Sequence, residues 1–307
     1  MRINKLDGIL LGLALLAPLV AYPTFLMKVL CFALFACAFN LLLGFAGLLS
    51  FGHAVFLGTG AYITGYLLTQ FSLTPELGIL GGTVASAVLG LVYGKLAVRR
   101  EGIYFAMVTL ALAQLMFFLF LQAPFTGGED GLQGIPRGQL LGLIDLSDNL
   151  TLYYFVLAIF IAGFALVRRT VRSPFGQVLK AIRENEPRAI SLGYRVEQFK
   201  LVAFVISAAL AGLAGSTKAL VFQLASLNDA HWFMSGEVVL ITLLGGVGTL
   251  WGPVLGAGAL LALENLLASG PLANYTHVVM GIVFILCVLV FRQGLVGELQ
   301  KLIRKSF

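Results

Sequence analysis

Residues 103–122 read IYFAMVTLALAQLMFFLFLQ, a run of 20 residues without one charged side chain. An α-helix rises about 1.5 Å per residue, so a run of this length matches a hydrocarbon core of about 30 Å. Comparable apolar runs recur along almost the whole sequence. This run therefore predicts a membrane-spanning helix, and its recurrence predicts a polytopic protein.

The overall composition supports the same conclusion. Of the 307 residues, 59% are hydrophobic and 11% are charged, and the mean hydropathy is +0.97. A soluble chain carries roughly a quarter of charged residues, and this chain lacks the polar surface needed to cover so apolar a core. The fold class is therefore predicted to be an all-α polytopic membrane protein.

Hydropathy windows place the individual spans. Windows of about 19 residues give roughly ten candidate transmembrane helices, at 8–22, 25–46, 53–70, 77–97, 103–122, 151–167, 200–222, 236–248, 252–269 and 275–291. The runs 53–70 and 236–248 adjoin glycine-rich breaks, which suggests broken or re-entrant helices. No linker separates soluble domains, so residues 1–307 are predicted to form a single transmembrane domain.

The distribution of lysine and arginine predicts the orientation. With both termini in the cytoplasm, all of the 20 basic residues except Lys28, Arg137 and Lys218 fall on cytoplasmic segments, as the positive-inside rule requires. The polar loop 123–150 then faces the periplasm, and the polar loop 168–199 faces the cytoplasm. Basic residues beside membrane spans are typical of membrane orientation, and nucleic-acid binding is not expected.

Small residues recur at every fourth position in two of the spans. Gly82, Ser86 and Gly90 belong to such a series in the fourth span, and Gly212 and Ser216 belong to one in the span 200–222. Small residues at this spacing let neighbouring helix backbones approach closely. The pattern predicts tight packing within the bundle.

The loop 168–199 contains a short amphipathic helix. Ser173 suits an N-cap and Pro174 the first helical position, and apolar residues then follow at helical spacing until Pro187 interrupts the helix. A second short helical segment ends at Gly193. On physical grounds alone, two interpretations remain open for this basic segment: a contact site for a motor subunit, or a helix lying on anionic lipid.

Polar side chains inside apolar spans are candidates for a solute pathway because they are costly to place there. The candidates are Asn40, Ser50, His53, Thr109, Gln114, Glu264 and Asn265. The rival interpretation is that they form bonds between helices, which contribute about 0.6 kcal/mol each in membranes. For His53 and Gln114 taken singly, the structural interpretation is favoured. No catalytic constellation and no metal-ligand spacing is present in the sequence, so neither a catalytic site nor a metal site is predicted.

Several blocks of the sequence resemble one known family in the same order. They are 39–54 (FNLLLGFAGLLSFGHA), Gly58-x-Gly60-Ala61-Tyr62, 102–107 (GIYFAM), 126–128 (TGG), the loop 173–194 and 245–253 (GGVGTLWGP). Together they resemble the branched-chain amino acid ABC transporter permeases, and the LivM-type branch of the LivHM family in particular. The resemblance covers about residues 36–260.

The resemblance implies a five-part importer of the bacterial inner membrane: two homologous permeases, two cytoplasmic ATPases and a periplasmic binding protein. It implies that the loop couples to an ATPase through Arg183, Glu184, Asn185, Glu186, Ala189 and Gly193. The chain has no GxxxxGK[ST] motif, so ATP and Mg are expected on the partner ATPases, and no cofactor is expected on this chain. The implied cargo is a branched-chain or related hydrophobic amino acid, with urea, amides or other small solutes as the alternative.

Two other functions compete with the importer permease. A stand-alone channel or ion-coupled transporter would not need a structured cytoplasmic loop. A membrane enzyme or assembly scaffold is disfavoured because no nucleophile has a base at helical spacing.

Overall fold

The computed structural model describes residues 12, 14–19, 21–140, 142, 144–268, 278–282, 285 and 294–297. Its α-helices are α1 (Pro23–Asn40), α2 (His53–Gln70), α3 (Pro75–Ala97), α4 (Gly102–Gln122), α5 (Asn149–Arg172), α6 (Pro174–Glu184), α7 (Glu186–Ser191), α8 (Val196–Phe222), α9 (Trp232–Gly245) and α10 (Gly252–Ala268). A π-helical segment, Leu41–Ala46, continues α1. Short 3-10 turns lie at Ala17–Leu19, Pro124–Thr126, Gly128–Asp130 and Leu227–Ala230.

The predicted spans correspond closely to these helices. Among the residues that the structure describes, five segments are long and apolar enough to cross a membrane: Pro23–Ala46, α3, α4, α5 and α8. The apolar helices α9 and α10 are shorter. Of the predicted span 8–22 the structure describes residues 12, 14–19, 21 and 22, and of 275–291 it describes residues 278–282 and 285; the chain termini with their basic residues lie outside the described residues. The helical membrane fold is thus confirmed.

The helix α2 lies at the centre of the bundle. It packs mainly against α8 and α3, and every residue from His53 to Tyr62 is buried. The predicted run 53–70 therefore forms one continuous helix, and the break that the glycines suggested precedes it. Because protein surrounds α2 on most sides, this helix tolerates more polar residues than a helix facing lipid.

The small-residue spacing has the predicted effect. A methyl group added to Gly212 on α8 would overlap Ser86 on α3, and one added to Gly90 on α3 would overlap Ala208 on α8. The hydroxyl of Ser86 donates to the Phe56 carbonyl of α2 at 2.9 Å. The stripes therefore bring α3 and α8 into close contact with α2, which confirms the packing prediction.

The segment between α4 and α5 contains three of the four short strands in the described part of the chain. These are β1 (Leu132–Gln133), β2 (Gln139–Leu140), β3 (Ile144–Asp145) and, after α8, β4 (Leu224–Ala225). β1 pairs antiparallel with β4, and β2 pairs antiparallel with β3. Asp148 then caps α5 by accepting from the Thr151 amide at 3.2 Å, and hydrogen bonds from Thr151 lower the pKa of the Asp148 carboxyl. The strands fasten this segment to the end of α8.

Candidate functional site

The helices α6 and α7 form a compact hairpin at one end of the bundle, which we call the loop end. The Ser173 hydroxyl accepts from the Gly176 amide at 3.3 Å and so caps α6, and the Asn185 side chain accepts from the Arg188 amide at 3.0 Å and so caps α7. Gly193 ends the hairpin with φ +86°, a conformation that favours glycine. The capped helix pair predicted from the sequence is confirmed.

One ion pair joins this hairpin to the membrane helices. The Lys200 ammonium on α8 lies 2.5 and 2.6 Å from the two carboxylate oxygens of Glu186. The Lys200 side chain is 4% exposed and the Glu186 side chain 25% exposed. Beside this pair, Ala189 packs with Ile182 and Val196 in a small core. Glu186 and Ala189, both predicted as coupling residues, therefore face the bundle.

The outward surface of the hairpin has a different composition. Glu184 and Asn185 are exposed, as their predicted role requires. Ile190, Leu192 and Tyr194 are also exposed, by 58%, 70% and 42%. These three apolar side chains were not among the residues predicted from the sequence, although their position around Gly193 in an otherwise polar loop was a usable signal. The surface offers an apolar patch with charged neighbours, a composition suited to protein contact.

Arg183 is also exposed, but its guanidinium reaches the end of a membrane helix. Its guanidinium donates to the Gly44 carbonyl in the π-helical segment that follows α1. An added methyl group on Gly44 would clash with Asn40 and with the backbone of Gly248. The helix α6 is therefore attached directly to the end of a membrane helix.

Asn40 extends this attachment to the turn between α9 and α10. It is 1% exposed; its side-chain nitrogen donates to the Thr249 carbonyl at 2.8 Å, and its side-chain oxygen accepts from the Gly248 amide at 2.9 Å. Arg183, Gly44, Asn40 and the turn thus form one chain of contacts from the hairpin into the bundle.

The irregular segment 47–52 connects α1 to α2, and two predicted pathway residues hold it in place. The Thr109 hydroxyl of α4 accepts from the Phe51 amide at 3.2 Å, and the Ser50 hydroxyl accepts from the Gly52 amide at 3.3 Å. Both side chains are fully buried or nearly so. In this structure, Thr109 and Ser50 satisfy backbone groups that the break leaves without helical partners.

His53 occupies the first turn of α2 among aromatic rings. Its Nε2 lies 2.9 Å from the Ser207 hydroxyl of α8, and that hydroxyl donates its single hydrogen to the Ala38 carbonyl. The histidine Nε2 must therefore be the donor, which leaves Nδ1 as a buried acceptor without a partner within the described ranges. The side chain joins α1, α2 and α8, in agreement with the structural interpretation of His53.

The remaining pathway candidates lie elsewhere. Gln114 is half-buried on α4. Glu264 pairs with Lys28 on α1 at 3.1 Å. Lys28 and Asn40 are separated by about 18 Å along α1 at 1.5 Å per residue. The structure therefore brings Asn40, Ser50, His53 and Thr109 together near the break, and places Glu264 and Asn265 towards the other end of the bundle.

The arrangement can bind another protein at the hairpin surface and can link a movement of the hairpin to the membrane helices. Within the described part of the chain, no group of three His, Cys, Asp or Glu residues is placed to hold a metal ion. The buried polar side chains described above form hydrogen bonds mainly with backbone groups, and these bonds stabilise the fold.

Comparisons with known proteins agree with the resemblance found in the sequence. The model of the family "branched-chain amino acid transport system / permease component" matches residues 22–288. The high-affinity branched-chain amino acid transport permease LivM of Salmonella typhimurium is 29% identical over 279 residues, which cover 83% of this chain and 65% of that protein. The chain thus spans slightly less than two thirds of the length of this relative.

Two further relatives widen the comparison. The corresponding LivH permease of Salmonella typhimurium is 26% identical over 285 residues, or 87% of this chain and 91% of that protein. The autoinducer 2 import system permease LsrC of Klebsiella pneumoniae is 29% identical over 192 residues, or 61% of this chain and 53% of that protein.

Proposed function

Because the chain belongs to the family of branched-chain amino acid transport system permease components, we propose that it is a transmembrane subunit of an ATP-driven importer. In this proposal it forms the solute path together with a homologous second permease. The observation that carries the proposal is the contact of Arg183 with the Gly44 carbonyl. This contact links a surface-exposed hairpin to the break in the membrane helices, which a motor-driven subunit requires.

The partners follow from this role. Two ATPase subunits bind ATP and Mg, and one of them contacts the exposed surface of the hairpin around Glu184, Asn185, Leu192 and Gly193. A binding protein delivers the solute on the opposite side. LivM and LivH both resemble this chain, which supports a heterodimer of related permeases. The proposed location is the bacterial inner membrane, with the loop end in the cytoplasm.

The proposed cargo is a branched-chain or related hydrophobic amino acid. The names of LivM and LivH support this cargo, and the name of LsrC, which is similar over a shorter range, supports the alternative of a different small solute. Importers of urea or amides would use the same type of complex.

The proposal is tested with the purified chain in liposomes. Solute uptake should require the second permease, the ATPases, the binding protein and ATP; uptake by the chain alone would instead support a stand-alone transporter. The variant Glu184→Lys should abolish the stimulation of ATP hydrolysis by loaded binding protein, because it reverses a charge on the contact surface. Glu197→Lys, an exposed carboxylate at the start of α8 outside the assigned contact surface, is the matched control. Normal stimulation in Glu184→Lys would contradict the assigned contact surface.

A further inference from the structure

An apolar cavity lies beside the break between α1 and α2. Its volume is about 480 Å³, and it is an open groove between the irregular segment and residues 102–110 of α4, where Ile103 and Met107 are exposed by 77% and 60%. Seven of its lining side chains are large and apolar: Leu48, Leu49, Phe51, Ile103, Phe105, Met107 and Leu110. The volume is within the range of small-molecule sites, which are lined mainly by apolar groups with a few polar groups to orient the ligand.

A second, smaller cavity supplies the polar groups. It measures about 160 Å³ and shares Gly47, Leu48 and Gly102 with the apolar cavity. Its other walls carry the charged side chains of Glu101, Arg183, Glu186 and Lys200. The two cavities therefore adjoin. The larger is lined by apolar side chains, and the smaller is lined by charged ones.

The charges of the smaller cavity are not all engaged. Glu186 and Lys200 neutralise each other. Arg183 uses one of its five N–H donors on the Gly44 carbonyl. The exposed Glu101 carboxylate has no hydrogen bond or ion pair within the parts of the chain that the structure describes. One carboxylate and several guanidinium donors thus remain available to a ligand.

One backbone amide of a residue that lines the apolar cavity has no hydrogen-bond acceptor in the described part of the chain. The neighbouring amides of Leu48 and Phe51 bond to the Leu42 carbonyl and the Thr109 hydroxyl, but the Leu49 amide has no acceptor among the described residues. Broken helices in transporters use such backbone donors to bind anionic groups of the solute.

We infer that the two adjoining cavities form a binding site for a free amino acid with an aliphatic side chain. The side chain occupies the apolar cavity, the ammonium group pairs with Glu101, and the carboxylate bonds to Arg183 and the Leu49 amide. The inference rests on the proposed function and makes its cargo specific. A urea-type solute fits less well, because its polar groups would lie unpaired against apolar walls.

The site also places Arg183 in two roles. The same guanidinium lines the ligand cavity and attaches α6 to the end of α1. A movement of the hairpin therefore changes the charge available to the ligand carboxylate, which would link release of the amino acid to the ATPase cycle.

The first test uses a variant in which a larger side chain fills the apolar cavity. Ala106 lines it, whereas Ala111 on the same helix is exposed outside it, so Ala106→Phe and Ala111→Phe form a matched pair. In liposomes with the full complex, Ala106→Phe should lower leucine uptake by at least about tenfold, the effect of a misfitted pocket. Stimulation of ATP hydrolysis by loaded binding protein should persist, and Ala111→Phe should retain both activities.

The second test removes the exposed carboxylate. Glu101→Gln should lower the maximal rate of leucine uptake by about tenfold, the worth of one charge-assisted bond, while Glu101→Asp retains most of it. Glu197→Gln is the control for an exposed carboxylate outside both cavities. Because Glu101 is exposed, this variant tests the site even if Ala106→Phe fails to assemble.

The outcomes distinguish a failure of the proposed binding site from a failure of the proposed importer function. Full leucine uptake in Ala106→Phe or in Glu101→Gln would refute the proposed binding site without contradicting the proposed importer function. A parent complex that imports urea but not leucine would overturn it as well. If the complete complex shows no ATP-dependent uptake of any solute, both the proposed function and the site are wrong.

Discussion

The variant Glu186→Gln should loosen the hairpin of α6 and α7, because it leaves the Lys200 ammonium buried without a counter-charge. Removing one partner of a fully buried pair costs about 3–5 kcal/mol. The Glu186 side chain is 25% exposed, so part of the charge stays hydrated and the expected loss is about 2 kcal/mol. If the hairpin opens locally, this loss raises its open population by about thirtyfold.

Cleavage by chymotrypsin measures that population in the purified chain without its ATPase partners. The exposed Tyr194 is a cleavage site that the substitution leaves intact, and its cleavage rate should rise in proportion to the open population. Glu184→Gln is the control, since Glu184 is exposed and forms no ion pair within the described chain. In the double variant Glu186→Gln with Lys200→Met, no buried charge remains, so the rate should return most of the way to the parent value. A Glu186→Gln cleavage rate close to that of Glu184→Gln would refute the argument.

Three other variants test separate parts of the fold. Asn40→Ala should lower the free energy of unfolding in detergent by about 1–2 kcal/mol, since two backbone groups lose their partner; an unchanged melting temperature would contradict this. Gly60→Ala should reduce the yield of folded protein, because its methyl group would meet the Gly212 carbonyl, whereas Gly258→Ala, with free space around it, should not. The lowered pKa of the Asp148 carboxyl means that its cap is present above the ordinary value of 3.8 and is lost as the pH falls through the lower folded value; hydrogen exchange at the Thr151 amide should therefore accelerate at acidic pH, and the acceleration should be absent in Asp148→Ala.

The helices of this chain were predictable because their signals are local. The apolar run 103–122 became Gly102–Gln122, and the cap at Ser173 with Pro174 became the start of α6. Hydropathy and capping depend on residues within a few turns, so a single sequence contains them in full. The two-residue strands after α4 gave no such signal, since runs this short have no periodicity to read.

The pathway candidates were less predictable because their partners are distant in sequence. Asn40 was selected as a polar residue in an apolar span, but its side chain bonds to a turn 208 and 209 residues away. Glu264 likewise pairs with Lys28 over 236 residues. Composition shows that a buried polar group needs a partner; only the arrangement of the helices decides which one.

The break after α1 explains why the hairpin can influence the membrane helices. A helix end leaves carbonyl groups without partners, and a cation is favoured there because it also opposes the negative end of the helix dipole. At this helix end the Arg183 guanidinium binds one such carbonyl, that of Gly44. If α6 moves away, that carbonyl loses its charged hydrogen-bond donor, which is unfavourable. The end of α1 is therefore expected to follow α6, and through Asn40 the turn between α9 and α10 should follow as well. A few hydrogen bonds at a helix break can thus transmit a movement that a fully hydrogen-bonded helix surface would not.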